Sequence, residues 1–129
     1  MGNRLHTVAV TTDASGDFTA TTPDVSGSIE WVRYVPAASN DLDANWDLDI
    51  VGSVTGVVVL GITNITAAAQ TWAPRQATHG VDGTASLYAA AGEPVEDKVR
   101  VHGEALDITV ADGGNVQSGT IYILEGNDS

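Results

Sequence analysis

The stretch "EALDITVADGGNVQSGTIYILEG", residues 104–126, decides the fold. Leu106, Ile108 and Val110 alternate with Asp107 and Thr109, the period of a strand with one face on a core. "DGGN" (112–115) breaks the alternation with residues that tolerate turn backbone. "SGTIYILEG" (118–126) then resumes it, carrying Ile121 and Ile123 on one face. Two strands parted by a Gly/Asp turn, without a helical period, mark a β protein.

The same plan recurs on both sides of that stretch. In "WDLDIVG" (46–52), Trp46, Leu48 and Ile50 point inward, and Asp47 and Asp49 outward. "RLHTVAVTT" (4–12) reads as a strand ended by "DASGD" (13–17), which predicts a hairpin onto "FTATT" (18–22). "GSIEWVRYVP" (27–36) sets Ile29, Trp31, Arg33 and Val35 on one face, against Glu30, Val32 and Tyr34. Trp31 and Trp46 are thereby expected in the core. "GVVVLGIT" (56–63) is a continuous apolar run between glycines, the pattern of a central strand. "QTWAPR" (70–75) can stay extended as far as Pro74. Within 83–102, a helical turn over 85–91 precedes Gly92, and "VRVHG" (99–103) looks extended. Short strands between Gly/Asp/Asn/Ser turns predict an all-β, antiparallel sandwich or barrel. It occupies residues 1–129 as a single domain, with 126–129 as a loose tail.

Composition narrows the chemistry. The 129 residues suffice for one buried core. Seventeen Asp and Glu face five Lys and Arg, a net charge of −12. Such a surface repels nucleic acid and anionic membranes, so neither is expected as a partner. With no cysteine there is no disulfide, zinc–thiolate site or thiol nucleophile. The start "MGNRLHTVAVTTD" lacks the apolar run of a secretory signal, and Val57–Leu60 is too short to cross a bilayer. These features predict a soluble protein assembled in the cytoplasm.

Few residues invite a catalytic reading. "NDLDANWDLDI" (40–50) matches the first ligands of a calcium-binding EF-hand loop at Asp41, Asp43 and Asn45. Its sharp-turn position, however, holds Trp46, and its bidentate-Glu position holds Gly52. An acidic loop feeding a strand is the better reading. His6, His79 and His102 lack metal-ligand spacing and are expected at the surface or on edges. No G-x-S-x-G elbow, G-x-G-x-x-G or P-loop occurs. No cofactor, metal or catalytic residue is therefore assigned. The remaining candidates are contact residues. In "TWAPR", Trp72 stands beside Arg75, a rare cation in this chain, and Arg4 lies near the N-terminus. An aromatic with an arginine is a common make-up of binding hot spots.

"SGSIEWVRYVP", "LDANWDLDI", "TNITAAAQTWAPRQATHG" and "LDITVADGGNVQSGTIYIL" together span residues 7 to 125. In these pieces the chain resembles small β-rich virion structural proteins of tailed bacteriophages. The resemblance implies a non-enzymatic capsid decoration (cement) protein on the virion surface. Its partners would be the major capsid protein and sister copies in a homotrimer. A neck or tail position is the alternative within the particle. A carbohydrate- or cell-surface-binding module resting on the aromatics is the competing reading. A metal-dependent enzyme built on the acidic loop is the third.

Overall fold

The computed structural model describes residues 4–77 and 96–126. It is an antiparallel β-sandwich, and among the described residues there is no helix. The expected helical turn over 85–91, His79 and the tail after Gly126 lie outside the described residues.

The first sheet runs in the order β1 (Arg4–Thr11), β11 (Ser118–Gly126), β3 (Val25–Pro36), β6 (Gln70–Trp72). A further strand, β9 (Arg100–Glu104), pairs with the opening half of β3. The second sheet runs β2 (Phe18–Thr21), β10 (Leu106–Ala111), β4 (Trp46–Gly52), β5 (Val58–Ile65). Two short strands, β7 (Arg75–Ala77) and β8 (Glu96–Lys98), pair with each other.

The alternating strands fold as their patterns require. Trp46, Leu48, Ile50, Leu106, Ile108, Val110, Ile121 and Ile123 are all fully buried between the sheets. Asp49 is exposed, while Asp47 and Asp107 are half-buried on the same outward phase. Fully burying an aliphatic side chain contributes about 1.5–3 kcal/mol, so this set supplies much of the stability. Tyr34 and Trp46 stack at 4.7 Å between ring centroids, and the Trp46 indole N–H donates to the Thr66 carbonyl.

Three expectations are corrected. β1 and β2 do not form a hairpin: β1 pairs with β11 over eight residues, and β2 pairs with β10 in the other sheet. The "DASGD" turn forms, with Asp13 Oδ1 accepting from the Ser15 and Asp17 amides, but it carries the chain from one sheet to the other.

Trp31 is half-buried, outside the core, because β3 changes phase. β11 pairs Leu124 with Trp31 but Glu125 with Ile29, which leaves Glu30 as an extra residue in a bulge. After a bulge the inward parity switches. Ile29 is therefore followed inward by Val32 and Tyr34.

The run 56–63 is not central. β5 is the outermost strand of its sheet, and Val58 is 61% exposed. Its register against β4 slips between Ile50↔Leu60 and Val51↔Val58. Val59 is the additional residue, so Val59 and Leu60 are both buried. A bulge at an edge thus mimics, in sequence, a strand covered on both faces.

Candidate functional site

The two sheets leave a groove along one side, where the outer strand β5 faces the outer strand β6. Val58, Val59, Leu60 and Gly61 form one wall, and Thr71, Trp72, Ala73 and Pro74 the other. Trp72 pairs with Val32 in the sheet and packs its half-buried ring against the core. Trp72 therefore caps this side of the core while its ring lines the groove. Beside it, Arg33 donates to the Thr71 hydroxyl at 2.6 Å, which fixes an exposed cation over β6.

The candidate contact residues do not form one patch. Trp72 ends β6, and Arg75 opens β7 just past Pro74, where its backbone lies opposite Lys98. Arg4 is exposed on β1, at the opposite edge of the first sheet. A second cleft lies between that edge and β2, lined by Arg4–Ala9 and Ala20–Pro23.

His6 lines this second cleft, and it is not a surface residue. It sits on the edge strand, yet it is only 7% exposed, and its Nε2 lies 2.8 Å from Glu125 Oε1. The other oxygen of Glu125 accepts from the Ser26 amide. Burial alone pushes the Glu125 pKa up. The hydrogen bonds from His6 and Ser26, with the charges of His6 and Arg4, outweigh it and hold the carboxyl below its usual range. The pair ties β1, β11 and β3 together. His102, by contrast, is exposed as expected.

Glu104 is the second buried carboxylate, and it is held by backbone amides and a hydroxyl. Its oxygens accept from the Val54 amide at 2.8 Å, the Thr55 amide at 3.0 Å and the Thr55 hydroxyl at 2.7 Å. The Thr55 amide, then its hydroxyl, then the Val54 amide hold the Glu104 pKa down against the opposing effect of burial. A strand end of the first sheet thereby pins the β4–β5 loop of the second. Gly52 permits this approach, since a Cβ there would fall 2.5 Å from Glu104 Oε1.

Both glutamates had a signal in the sequence. Glu104 lies one period-two step before Leu106, and Glu125 one step after Ile123, each on the inward phase. A carboxylate on that phase demands a buried donor.

The acidic loop 40–45 closes one end of the sandwich together with residues 12–17 and 112–118. Asp43 N–H donates to the Gly113 carbonyl, Gly113 N–H to Gly16, Val116 N–H to Asp13, and Ser118 N–H to Asn40. Tyr34 Oη accepts from the buried Leu42 amide, and burial raises the Tyr34 pKa although that bond opposes the rise. Among the described residues, no three His, Asp or Glu side chains converge to hold a metal ion. Within the loop Asn40 and Asn45 adopt positive φ, and Asp43 Oδ1 lies 3.4 Å from Gln117 Nε2 of the neighbouring loop.

No model of a known protein family matches this chain, and no curated protein does. Among solved structures it is similar to the crystal structure of FLHE, at 11% identity over 98% of this chain and 100% of that one. The TM-score of 0.44 is too low for that likeness to bear on function.

Proposed function

We propose that this protein is a non-enzymatic structural component of a tailed-phage particle, most specifically a capsid decoration protein. It assembles in the host cytoplasm, attaches to the head surface, and bridges neighbouring capsomers through the major capsid protein and its own copies in a homotrimer. The resemblance in sequence motivates the reading. The observation that supports it is that Arg4 and Trp72 lie at opposite edges of one stiff sheet. A bridge needs two separate points of attachment, and individually weak contacts become effective when multiplied over many sites.

The test is retention on shells. Trp72→Ala with Arg75→Glu is expected to leave the circular dichroism unchanged and to weaken co-sedimentation with capsids. Arg4→Glu is expected to act as an independent second lesion. Full retention by the combined variant, with its fold intact, removes these residues from the contact. Density for the chain on a neck or tail moves the role within the particle.

A second reading rests on the half-buried Trp72 in an open groove, where a sugar ring could stack. Binding of the isolated domain to a glycan array, with no retention on shells, would favour that carbohydrate-binding module.

A further inference from the structure

Residues 51–74, "VGSVTGVVVLGITNITAAAQTWAP", form 24 consecutive positions without a charged side chain, in a chain that carries 22 charges elsewhere. This run contains both β5 and β6. Among the described residues no strand pairs with the outer edge of β5, and Val58 stands 61% exposed on it.

An uncovered edge strand is a template for pairing, and proteins ordinarily blunt it with lysine, proline, inward charges or a very short strand. The other edges of this sandwich show such devices. β1 carries Arg4, the four-residue β2 is followed by Pro23 and Asp24, and the three-residue β6 is followed by Pro74. β5 has eight residues, no charge and no proline. Only its register slips against β4 twist it, and they leave a regular stretch at Leu60–Ile62.

We propose that the β5 edge pairs with the β5 edge of a second copy of this chain, antiparallel about a two-fold axis, extending two four-stranded sheets into one of eight. Charge selects this occupant. A basic partner would be drawn to the acidic faces and would gain nothing from a neutral edge. A second copy also carries a charge of −12 and can approach closely only where neither chain presents carboxylates. Among the described residues the acids flanking this edge are Asp47 and Asp49 on β4, whose carboxylates reach onto β5: Asp47 Oδ1 accepts from the Asn64 amide, and Asp49 Oδ1 lies beside Gly61. At about 4.8 Å per strand, the two β5 strands hold the β4 strands of the copies about 14 Å apart, so the repulsion between these carboxylates is reduced by distance and further screened by salt. Such a two-fold contact is self-complementary by construction. It holds whatever the protein's role on a particle, and it is separate from any three-fold association.

Salt provides a discriminating readout. A contact built on Arg4 or Arg75 weakens as salt rises, whereas this one strengthens, because only the repulsion between the two acidic bodies is screened. The experiment is sedimentation equilibrium of the full chain over a concentration series at low and high salt, with Val58→Asp and, as a control on the β1 edge, Thr7→Asp. Expected are a concentration-dependent mass of two chains, tighter at high salt, and a dissociation constant raised at least about tenfold by Val58→Asp, which places a charge in the otherwise uncharged edge of each copy. The Thr7→Asp control should dimerise as the wild type does. Circular dichroism reports whether each variant is folded. Amide hydrogen exchange over Val58–Ile65 keeps the test decisive even if Val58→Asp unfolds, since protection should grow with wild-type concentration. A monomer under all conditions overturns the proposal, as does protection of these amides that is independent of concentration. A dimer lost in Thr7→Asp but kept in Val58→Asp overturns it as well. A mass of three chains that ignores Val58→Asp overturns it too, while leaving the particle reading in place.

Discussion

The closed end of the sandwich and its open side handle polar groups in opposite ways. At the closed end, residues 12–17, 40–45 and 112–118 carry five aspartates, and their backbones are bonded loop to loop. On the open side, β5 and β6 carry no charge, and the β5 edge has no strand beyond it among the described residues. Charge therefore gathers where the backbone is already satisfied. It is missing where backbone groups still have bonds to offer. The difference teaches that charge is tolerated where loop backbones are bonded to one another, and that the proposed dimer contact falls where charge is missing.

The comparison can be broken most forcefully at the closed end. Trp46→Ala removes the ring stacked on Tyr34, whose hydroxyl holds the acidic loop. It should cost about 3–5 kcal/mol in urea denaturation. A loss below about 1 kcal/mol would mean the ring is not the anchor described.

Gly16→Ala comes next. Gly16 has φ +84°, and an added Cβ would stand 2.9 Å from the Gly114 amide nitrogen. The residue would be both strained and crowded by backbone, so about 1–3 kcal/mol should be lost, read from the same denaturation curves.

The strut between the two sheets, Glu104 against the β4–β5 loop, has a pH signature. Glu104 binds its proton less readily folded than unfolded. The stability it contributes is complete above the ordinary carboxylate range and is lost as pH falls through its depressed folded value. Glu104→Gln should lower the melting temperature at neutral pH and narrow its gap to the wild type in acid. A gap that widens in acid would reverse the assignment.

At the small end lie two near-null expectations. Val54→Ser, at a position 82% exposed on the loop beside β5, should change stability by less than about 0.5 kcal/mol. A calcium chelator should leave the melting temperature unmoved. A fall on chelation would turn the closed end into an ion site.

Much of the fold was legible because period two reports which face a residue joins. Leu106 with Ile108 and Ile121 with Ile123 declared their side of the sheet without help from any other strand. The same signal is silent about neighbours. "DASGD" contains a real turn, but whether it returns the chain to the same sheet depends on β11 claiming β1, more than a hundred residues later. A bulge also confounds parity, as Trp31 and the run at Val58–Leu60 both show. The contact candidates were legible only as residue types. That Arg4 faces away from Trp72 across a whole sheet follows from strand order, which alternation does not encode. The burial of His6 was not legible, because a lone histidine on an edge strand gives no sign that Glu125 will lie beside it.

The position of β11 also shapes how the molecule comes into being. This strand lies between β1 and β3, so the first sheet has no middle until residues 118–126 have left the ribosome. Its pairing with β1 spans nearly the whole chain length, and contacts that distant are slow to form because a large loop must close first. The first sheet therefore cannot close before β11 is made, and until then β1 and β3 wait without their shared neighbour. This is the window in which partly folded copies could pair wrongly. A refolding rate that falls when β11 is weakened, as by Ile123→Ala, while unfolding is little changed, would place closure of this strand at the barrier.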